Sequence, residues 1–353
     1  MNTQPTINDI AAVLGVSRTT VSKAFAGQGR IAEGTRQRVL EVAQEMGYSP
    51  NAHAQHLTGG VASNVIGLFS TSLDNVAWQT MSVLHNALTA EGYEAPLYTQ
   101  GNVMVSPPAW LHRKNGFSPK QHAEHLLAML CRQRPAGIIC SGFGLSPNST
   151  EELEKYQQNG GTLVGYHSQF AVPCDKVLFD AEANTYLAAQ HLLEAGHRHL
   201  GLCTYMAQDK QSSRIRGYAA ALRDYGVPLQ EEWLFPAGDS EAGGGQLAQR
   251  FLEMKNRPTA ICIVNDVQAA AFTHQIMRAG VNVPGDLSIV ALDGLPASLY
   301  SMVQLTTVRQ PWEDMVQKAT QFMLDRLKKE YQGKPREVAY QGEVIPRESV
   351  RTL

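Results

Sequence analysis

Two short segments of helical apolar spacing, separated by Gly15, restrict the start of the chain to a pair of helices around a tight turn. Thr6-Ile7-Asn8-Asp9 has the form of a capping box, with a hydroxyl at the N-cap and an acid three residues later. Gly15 suits the left-handed conformation that ends a helix, and Ser17 is typical of the N-cap of the next one. The apolar positions of the two helices are Ile10, Ala11 and Leu14, then Val21, Ala24 and Phe25. This pattern predicts a helix-turn-helix unit.

The start of the second helix is polar on the side away from those apolar residues. Side chains at such a position reach base edges in a major groove, and small hydroxyls approach the phosphates. The candidate DNA-binding residues of this unit are Thr6, Ser17, Arg18, Thr19, Thr20, Ser22 and Lys23. A third helix, about 35–46, completes a small core with Val39, Ala43 and Met46. Any small three-helix module has similar caps and an apolar stripe, so this segment alone leaves both interpretations open.

Residues 49–60 predict a short helix between a proline and a pair of glycines. Asn51 is its cap, and its apolar groups are Ala52, Ala54 and Leu57. A helix of this length is unstable in isolation. The segment is therefore poised between coil and helix, as a switchable hinge requires.

Composition fits an ordered protein, at 43% hydrophobic and 18% charged residues. Residues 1–60 hold five Lys or Arg against four Asp or Glu, which is only weak support for DNA binding. The chain has no signal-peptide pattern and no apolar run of membrane-spanning length. The five cysteines are scattered, and we interpret them as small buried hydrophobes of a reducing compartment. We therefore expect a cytoplasmic protein.

After Gly60, strand-like and helix-like segments alternate in two rounds. The strand-like segments are 64–70, 95–98, 136–140 and 162–166, then 177–179, 200–203, 260–264 and 287–291. Such alternation predicts an α/β fold of two doubly wound lobes, with ligands bound beyond the carboxyl ends of the strands. Motifs of catalysis and nucleotide binding are absent, and the histidines lack zinc spacing, so we expect no enzyme, cofactor or metal.

The run from Thr6 to Leu57 resembles the N-terminus of the lactose/galactose repressor family of bacterial transcription regulators. The likeness continues at AGHRHLGLCTY, SSRIRGYAAAL, PTAICIVNDVQAAAF, VPGDLSIVALDG and LTTVRQP. It implies a helix-turn-helix head at 1–48, a hinge at 49–61 and a periplasmic-binding-protein-like domain at 62–353. Lobe one would span about 62–174 and 296–331, and lobe two about 175–295 and 332–353.

The resemblance also implies roles for residues of the head and hinge. Arg18 and Thr19 would be the main base readers, with Lys23 assisting. Leu57 would wedge into the minor groove and kink the DNA, with Ala54 in the same groove. Many members have Arg where this chain has Gln55, so the usual contact with the central bases is not implied.

Polar residues that follow the predicted strands are the effector candidates. By resemblance, Arg214 clamps the ligand, Asn265 hydrogen-bonds it and Asp293 contacts sugar hydroxyls. A surface position is the alternative for Arg214, and a helix cap is the alternative for Asp293 and for Asp266, which follows Asn265. Lobe one adds Ser70, Thr71, Asp74 and Trp78, the last as a stacking platform or a core residue. His167 stands where many sugar-sensing members have Asp. We hypothesise that His167 and Arg214 favour a phosphorylated or acidic ligand.

Together these features predict a DNA-binding repressor that binds a pseudo-palindromic operator as a homodimer and is controlled by a small sugar or sugar derivative. The chain ends without leucine heptads, so we expect no tetramerisation tail. An activator or corepressor-dependent regulator of the same family is the alternative, and a sugar receptor without regulatory role is a weaker one. Residues 101–118 are longer than the usual connection, either as a lid or as a surface insertion.

Overall fold

The structure is a computed structural model. It describes residues 6–26, 31–46, 63–71, 75–99, 119–141, 145–167, 170–204, 212–238 and 240–353. The predicted hinge and the 101–118 segment lie outside these residues.

The head consists of three helices around one small core. They are α1 (Ile7–Leu14), α2 (Arg18–Ala26) and α3 (Glu33–Glu45). The core is made of Ile10, Ala11, Val21, Ala24, Val39, Val42 and Ala43, with Leu14, Phe25 and Met46 packed against it. The apolar positions predicted from helical spacing are therefore confirmed, although α3 begins two residues earlier than expected.

The rest of the described chain forms two six-stranded sheets. The strands of the first sheet are β1 (Ile66–Ser70), β2 (Leu97–Thr99), β3 (Gly137–Ser141), β4 (Thr162–Tyr166), β5 (Asp175–Phe179) and β11 (Glu337–Tyr340). Those of the second are β6 (Leu200–Cys203), β7 (Leu234–Phe235), β8 (Ala260–Ile263), β9 (Ser288–Asp293), β10 (Thr306–Arg309) and β12 (Glu343–Ile345). The orders are β11-β5-β4-β3-β1-β2 and β12-β10-β9-β8-β6-β7, and all pairs are parallel except β10 with β12.

Helices cover both sheets, as a parallel sheet requires. They are α4 (Asn75–Ala90), α5 (Pro119–Arg132), α6 (Pro147–Gln158), α7 (Ala181–Glu194), α8 (Ser213–Asp224), α9 (Glu241–Glu253), α10 (Asp266–Arg278) and α11 (Trp312–Leu327), with 3-10 turns at Glu231–Trp233 and Pro296–Ser298. The apolar strands are buried from both sides, and all five cysteine thiols are free and buried within this packing. Among the described helices, none has the length and apolar character needed to cross a membrane.

The expected lobe boundaries are wrong at three strands. β11 was expected in lobe two but pairs with β5 in the first sheet. β5 was expected in lobe two but pairs with β4 and β11 in the first sheet. β10 was expected in lobe one but pairs with β9 and β12 in the second sheet. Backbone pairing decides which lobe a strand joins, and family landmarks along a sequence do not contain that information. Of the segment 296–331, which was expected in lobe one, only helix α11 packs on that lobe.

Three chain segments therefore cross between the lobes. A hydrogen bond joins the first to the third, and the pairing of Arg309 with Glu343 places the second beside the third. The three segments follow Phe179, Arg309 and Tyr340 respectively. The Asp180 amide donates to the Tyr340 carbonyl at 2.9 Å, and the Gly342 amide donates to Oδ1 of buried Asn184 at 2.6 Å. The crossings thus lie side by side, where they can act as one hinge between the lobes.

Candidate functional site

The turn of the head is fixed by local hydrogen bonds at both of its predicted caps. The Thr6 amide and hydroxyl both donate to Oδ2 of Asp9 at 2.7 Å, and these bonds lower the pKa of the Asp9 carboxyl. Gly15 has φ +63°, and the Val16 amide donates to the Ala11 carbonyl. These contacts set the direction in which the chain enters α2.

Most of the candidate DNA-reading side chains lie on α2 or at its N-cap. Ser17 Oγ accepts a hydrogen bond from the Thr20 amide at 3.1 Å and lies 2.8 Å from the Thr20 hydroxyl, so Ser17 caps the helix. Arg18, Thr19 and Lys23 are exposed. Thr20 and Ser22 are partly buried beside them, while Thr6 is exposed at the start of α1. The geometry presents one short polar helix end to solvent, with its opposite face in the head core.

Four predicted hinge residues, Asn51, Ala54, Gln55 and Leu57, lie outside the described residues. So does Asp74, an effector candidate of lobe one. Their roles stay predictions.

The remaining lobe-one candidates lie at or after the carboxyl end of β1. Ser70 is the last residue of that strand and is buried, and the Thr71 amide donates to the Ser141 carbonyl at 3.3 Å. Trp78 lies in the first turns of α4 and is 58% exposed. That exposure excludes the core interpretation of Trp78 and leaves its indole face available for stacking.

His167 directly follows β4 and has an unusual backbone. Its φ is +49°, a region that residues other than glycine seldom adopt, and its amide donates to the Val177 carbonyl at 2.8 Å. Its ring centroid lies 5.7 Å from that of Phe179 and 6.5 Å from that of Trp312. The imidazole is therefore held among aromatic rings at the carboxyl edge of the first sheet.

Arg214 lies in the first turn of α8, after β6 of the second sheet, and is only 9% exposed. Gly217 in the same helix explains how α8 comes so close to α7. A methyl group there would lie 2.0 Å from the Glu182 backbone oxygen. The burial of Arg214 excludes the surface-arginine alternative.

Asn265 and Asp266 begin α10 at the carboxyl end of β8. Oδ1 of Asn265 accepts a hydrogen bond from the Gln268 amide at 2.7 Å, so Asn265 is the helix cap. The Asp266 carboxyl is fully buried and accepts hydrogen bonds from the Thr307 hydroxyl and the Leu295 amide. Burial raises its pKa to about 7, and those bonds offset part of the increase. The helix-cap alternative for Asp266 is therefore wrong, because Asn265 is the cap and Asp266 is the first residue of the helix. Its contacts with Thr307 and Leu295 were not predicted from the sequence.

Asp293 is the last residue of β9 and accepts hydrogen bonds from two residues that were not predicted from the sequence. Oδ1 of Asp293 accepts from Gln310 Nε2 at 2.6 Å, and its carbonyl accepts from Trp312 Nε1 at 3.3 Å. Gln310 and Trp312 are both buried. The sequence showed only their position on either side of Pro311, at the end of the LTTVRQP landmark, and that position does not indicate a contact with Asp293. A helix-cap role for Asp293 is excluded, because it lies within a strand.

One contact path consequently runs from the strand ends of one lobe to those of the other. It passes from the His167 ring to the Trp312 ring, and from the Trp312 indole N–H to the Asp293 carbonyl. Trp312 is the first residue after the second crossing between the lobes. A group bound beside His167 or Asp293 would thus act directly on residues of the interlobe hinge.

Two parts of the chain match known families. Residues 6–51 match the bacterial regulatory proteins of the lacI family, and residues 189–350 match the periplasmic binding protein-like domain. An HTH-type transcriptional repressor PurR from Aliivibrio fischeri is 30% identical over 350 residues, with 98% of each chain covered. The chain belongs to the lacI family. It is a DNA-binding transcriptional repressor of that family and not an enzyme.

Solved structures agree with the fold of this lacI-family member. The lac repressor dimer bound to operator and the anti-inducer ONPF superposes with a TM-score of 0.77 at 20% identity, covering 99% of this chain and 100% of that one. The transcriptional regulator CelR in complex with cellobiose gives a TM-score of 0.66 at 22% identity, covering 98% and 99%. The two-lobed α/β architecture behind a helix-turn-helix head is therefore confirmed.

Proposed function

We propose that this repressor is a homodimer whose operator affinity is controlled by a small molecule bound between its two lobes. The observation that carries the proposal is the contact path from His167 through Trp312 to Asp293. It joins the strand ends of both lobes at a crossing segment. A ligand that favours one arrangement of the lobes changes the distance between the hinge segments, residues 49–61, of the two copies. That distance determines whether the hinge helices form.

Dimerisation is supported by an apolar cluster on the second lobe. Leu299, Tyr300 and Met302 are 44%, 85% and 57% exposed, just after the turn Pro296–Ser298. Large apolar side chains so exposed and so close together are typical of an interface. Two copies related by a two-fold axis would present two heads to a pseudo-palindromic operator. The lac repressor, which has the same fold, was solved as a dimer on operator DNA.

The proposed effector is a sugar or sugar derivative. CelR, whose fold is the same, was solved with cellobiose. The guanidinium of Arg214, buried in the first turn of α8, and the imidazole of His167, directly after β4, are the hydrogen-bond donors proposed for the effector, which favours a phosphorylated or acidic derivative over a neutral sugar. The proposed location is the cytoplasm, where operator DNA and such metabolites are both accessible.

Fluorescence anisotropy with a labelled duplex from the region upstream of the gene tests the proposal. Salt is held fixed, because affinity for DNA depends strongly on it. Neutral sugars, sugar phosphates and sugar acids are then titrated against the complex and against a scrambled duplex. We expect specific binding that an anionic sugar derivative releases.

The other outcomes separate the parts of the proposal. Release by neutral sugars alone, with an unchanged response in His167→Ala, would remove the cationic-ligand hypothesis. Binding that appears only with a compound would make that compound a corepressor. A lack of specific binding under all conditions would contradict the roles given to Arg18, Thr19 and Lys23.

A further inference from the structure

The Asp266 carboxyl group holds together three segments beside the proposed effector site. Oδ1 accepts a hydrogen bond from the Thr307 hydroxyl of β10 at 2.6 Å, and Oδ2 accepts from the Leu295 amide at 2.5 Å. Asp266 itself begins α10, directly after Asn265. Because the Asp266 side chain has no exposed surface, bulk water cannot replace these donors.

The segment held in this way carries Asp293. Asp293 and Gly294 have consecutive positive φ values of 113° and 77°, and the former is costly for a residue with a side chain. The Gly294 amide donates to the Thr307 hydroxyl oxygen at 3.3 Å, and the next amide, of Leu295, donates to Asp266. The hydrogen bonds of this loop to Thr307 and Asp266 therefore stabilise its strained backbone.

We propose that Asp266 is a positioning residue for the effector site, which orients Asp293 by fixing the Asp293–Leu295 loop, and that its protonation changes this orientation. The contact of Asp293 with an effector rests on the function proposed above. The geometry of the loop and its dependence on the proton of Asp266 are independent of that function.

The hydrogen-bond donors around Asp266 explain why a proton matters here. As a carboxylate, Asp266 accepts from the Thr307 hydroxyl, whose oxygen remains free to accept from the Gly294 amide. When Asp266 is protonated, the carboxyl group loses its charge, so the hydrogen bonds that it accepts from the Thr307 hydroxyl and the Leu295 amide are no longer charge-assisted. Both bonds become weaker, and the loop that they hold is fixed less firmly.

The change falls within the neutral pH range. Burial raises the pKa of Asp266 to about 7, with the Thr307 and Leu295 hydrogen bonds and the charge of Arg347 acting in the opposite direction. Arg347 itself donates to Ser298 Oγ at 2.9 Å and to the Leu305 carbonyl at 2.6 Å. We therefore expect the carboxylate above neutral pH and the acid below it.

Other charged groups near the loop define the controls. The Asp293 carboxyl accepts from Gln310, and Arg309 pairs with Glu343 at the exposed C-terminal end of β10. His167 lies against Trp312 and belongs to the residue type that ordinarily titrates near neutral pH. A signal read at Trp312 must therefore be tested for both Asp266 and His167.

The indole N–H of Trp312 reports the loop, because it donates to the Asp293 carbonyl. In the full-length protein labelled with [15N]tryptophan there are four tryptophans, and Trp312→Phe assigns the Trp312 signal. The signals are followed from about pH 5.5 to 8.5. We expect a Trp312 shift with a midpoint near neutral pH, lost in Asp266→Asn and retained in His167→Gln.

Two outcomes overturn the proposal: no titration of the Trp312 signal in the unchanged protein, or the same titration in Asp266→Asn. Thermal unfolding by circular dichroism shows whether that variant folds. If it does not, Thr307→Val removes one donor to the carboxylate, and the midpoint must move to higher pH; an unmoved midpoint also overturns the proposal. The titration uses neither effector nor DNA, so its failure is distinct from a failure of the anisotropy experiment.

Discussion

At the scale of single residues, Arg214 is the side chain on which the proposed effector response should depend most. Because it is almost fully buried in the first turn of α8, its guanidinium can form charge-assisted hydrogen bonds with little competition from water. We expect Arg214→Ala to weaken effector-induced release from DNA by roughly 10- to 100-fold, with operator affinity unchanged in the absence of effector. The anisotropy titration measures both quantities.

Arg216 provides the matched control in the same helix. Its guanidinium pairs with Glu182 at 2.7 Å, and both side chains are about half exposed, so the pair contributes little to stability. Arg216→Ala should therefore leave the effector response intact. An equal loss in both variants would indicate damage to α8 and not the loss of a ligand contact.

We expect the stability of the folded protein to depend on pH through His197. Its ring is fully buried in lobe two, with Nδ1 at 3.0 Å from the Thr259 hydroxyl and Nε2 at 2.9 Å from the Ser288 hydroxyl. Burial lowers the pKa of His197 in the folded protein. As pH falls below the ordinary histidine value of about 6.5, the unfolded chain takes up the proton first, so the free energy of unfolding decreases.

Urea denaturation between about pH 7.5 and 5 should show this decrease. His197→Gln should be less stable at the upper pH, because it loses hydrogen bonds, but its stability should change less with pH. His199→Gln is the control, since His199 is exposed against the Trp233 ring. A pH slope that is unchanged in His197→Gln would assign the effect to other groups.

The sequence contained part of the site at this scale. The landmark SSRIRGYAAAL and the strand-end positions indicated Arg214, Asn265 and Asp293 as effector candidates. Arg214 and Asp293 are buried, whereas Asn265 is partly buried and caps α10, and the effector roles of all three stay predictions. The sequence did not contain the positive φ of His167, or the contacts of Gln310 and Trp312 with Asp293, because these depend on residues brought together by the crossings. Long-range hydrogen bonds of this kind leave no periodic pattern in a sequence.

At the scale of elements, α9 shows how a local signal can mislead. Gly243-Gly244-Gly245 lies inside it, and three glycines in succession argue against a helix. The structure shows what two of them contribute. A methyl group on Gly244 would lie 2.4 Å from the Gln268 backbone oxygen of α10, whereas one on Gly245 would meet only the exposed Gln275 side chain, at 2.8 Å.

These neighbours give a paired prediction. Gly244→Ala forces α9 away from the backbone of α10 and should lower the free energy of unfolding by about 1–3 kcal/mol. Gly245→Ala requires only a rotamer change of Gln275 and gains helix propensity, so it should be neutral or stabilising by up to about 1 kcal/mol. Chemical denaturation of the two variants compares them, and an equal loss in both would contradict the packing described for α9 and α10.

The alternation of strands and helices was sufficient to predict two doubly wound lobes, because apolar runs and helical periodicity are local properties. The lobe membership of β5, β10 and β11 could not be predicted in this way, since it depends on which strand supplies the hydrogen-bond partner. The same limit applies to the crossings, where Asn184 binds the Gly342 amide over a separation of 158 residues.

At the scale of the whole molecule, the proposed regulation needs both copies of the chain. One head binds half of a pseudo-palindromic operator, and the second head then binds at a high effective concentration, which commonly increases affinity by about 10²- to 10⁴-fold. Lobe movement within one copy can alter DNA binding because it changes the distance between the two heads. The apolar cluster of Leu299, Tyr300 and Met302 is therefore the surface on which the proposed dimer depends.

Tyr300→Asp tests this dependence, because it places a charge at the most exposed apolar residue of that cluster. We expect the variant to sediment as a monomer in analytical ultracentrifugation and to bind a full operator no more tightly than a half-site. Its circular dichroism and unfolding should be unchanged, since the side chain is 85% exposed within one copy. Leu353→Asp is the control at another exposed apolar residue, and it should remain dimeric. A Tyr300→Asp variant that remains dimeric with full operator affinity would indicate that the interface lies on another surface. A monomeric variant that still binds the operator with full affinity would show that the two heads do not act together.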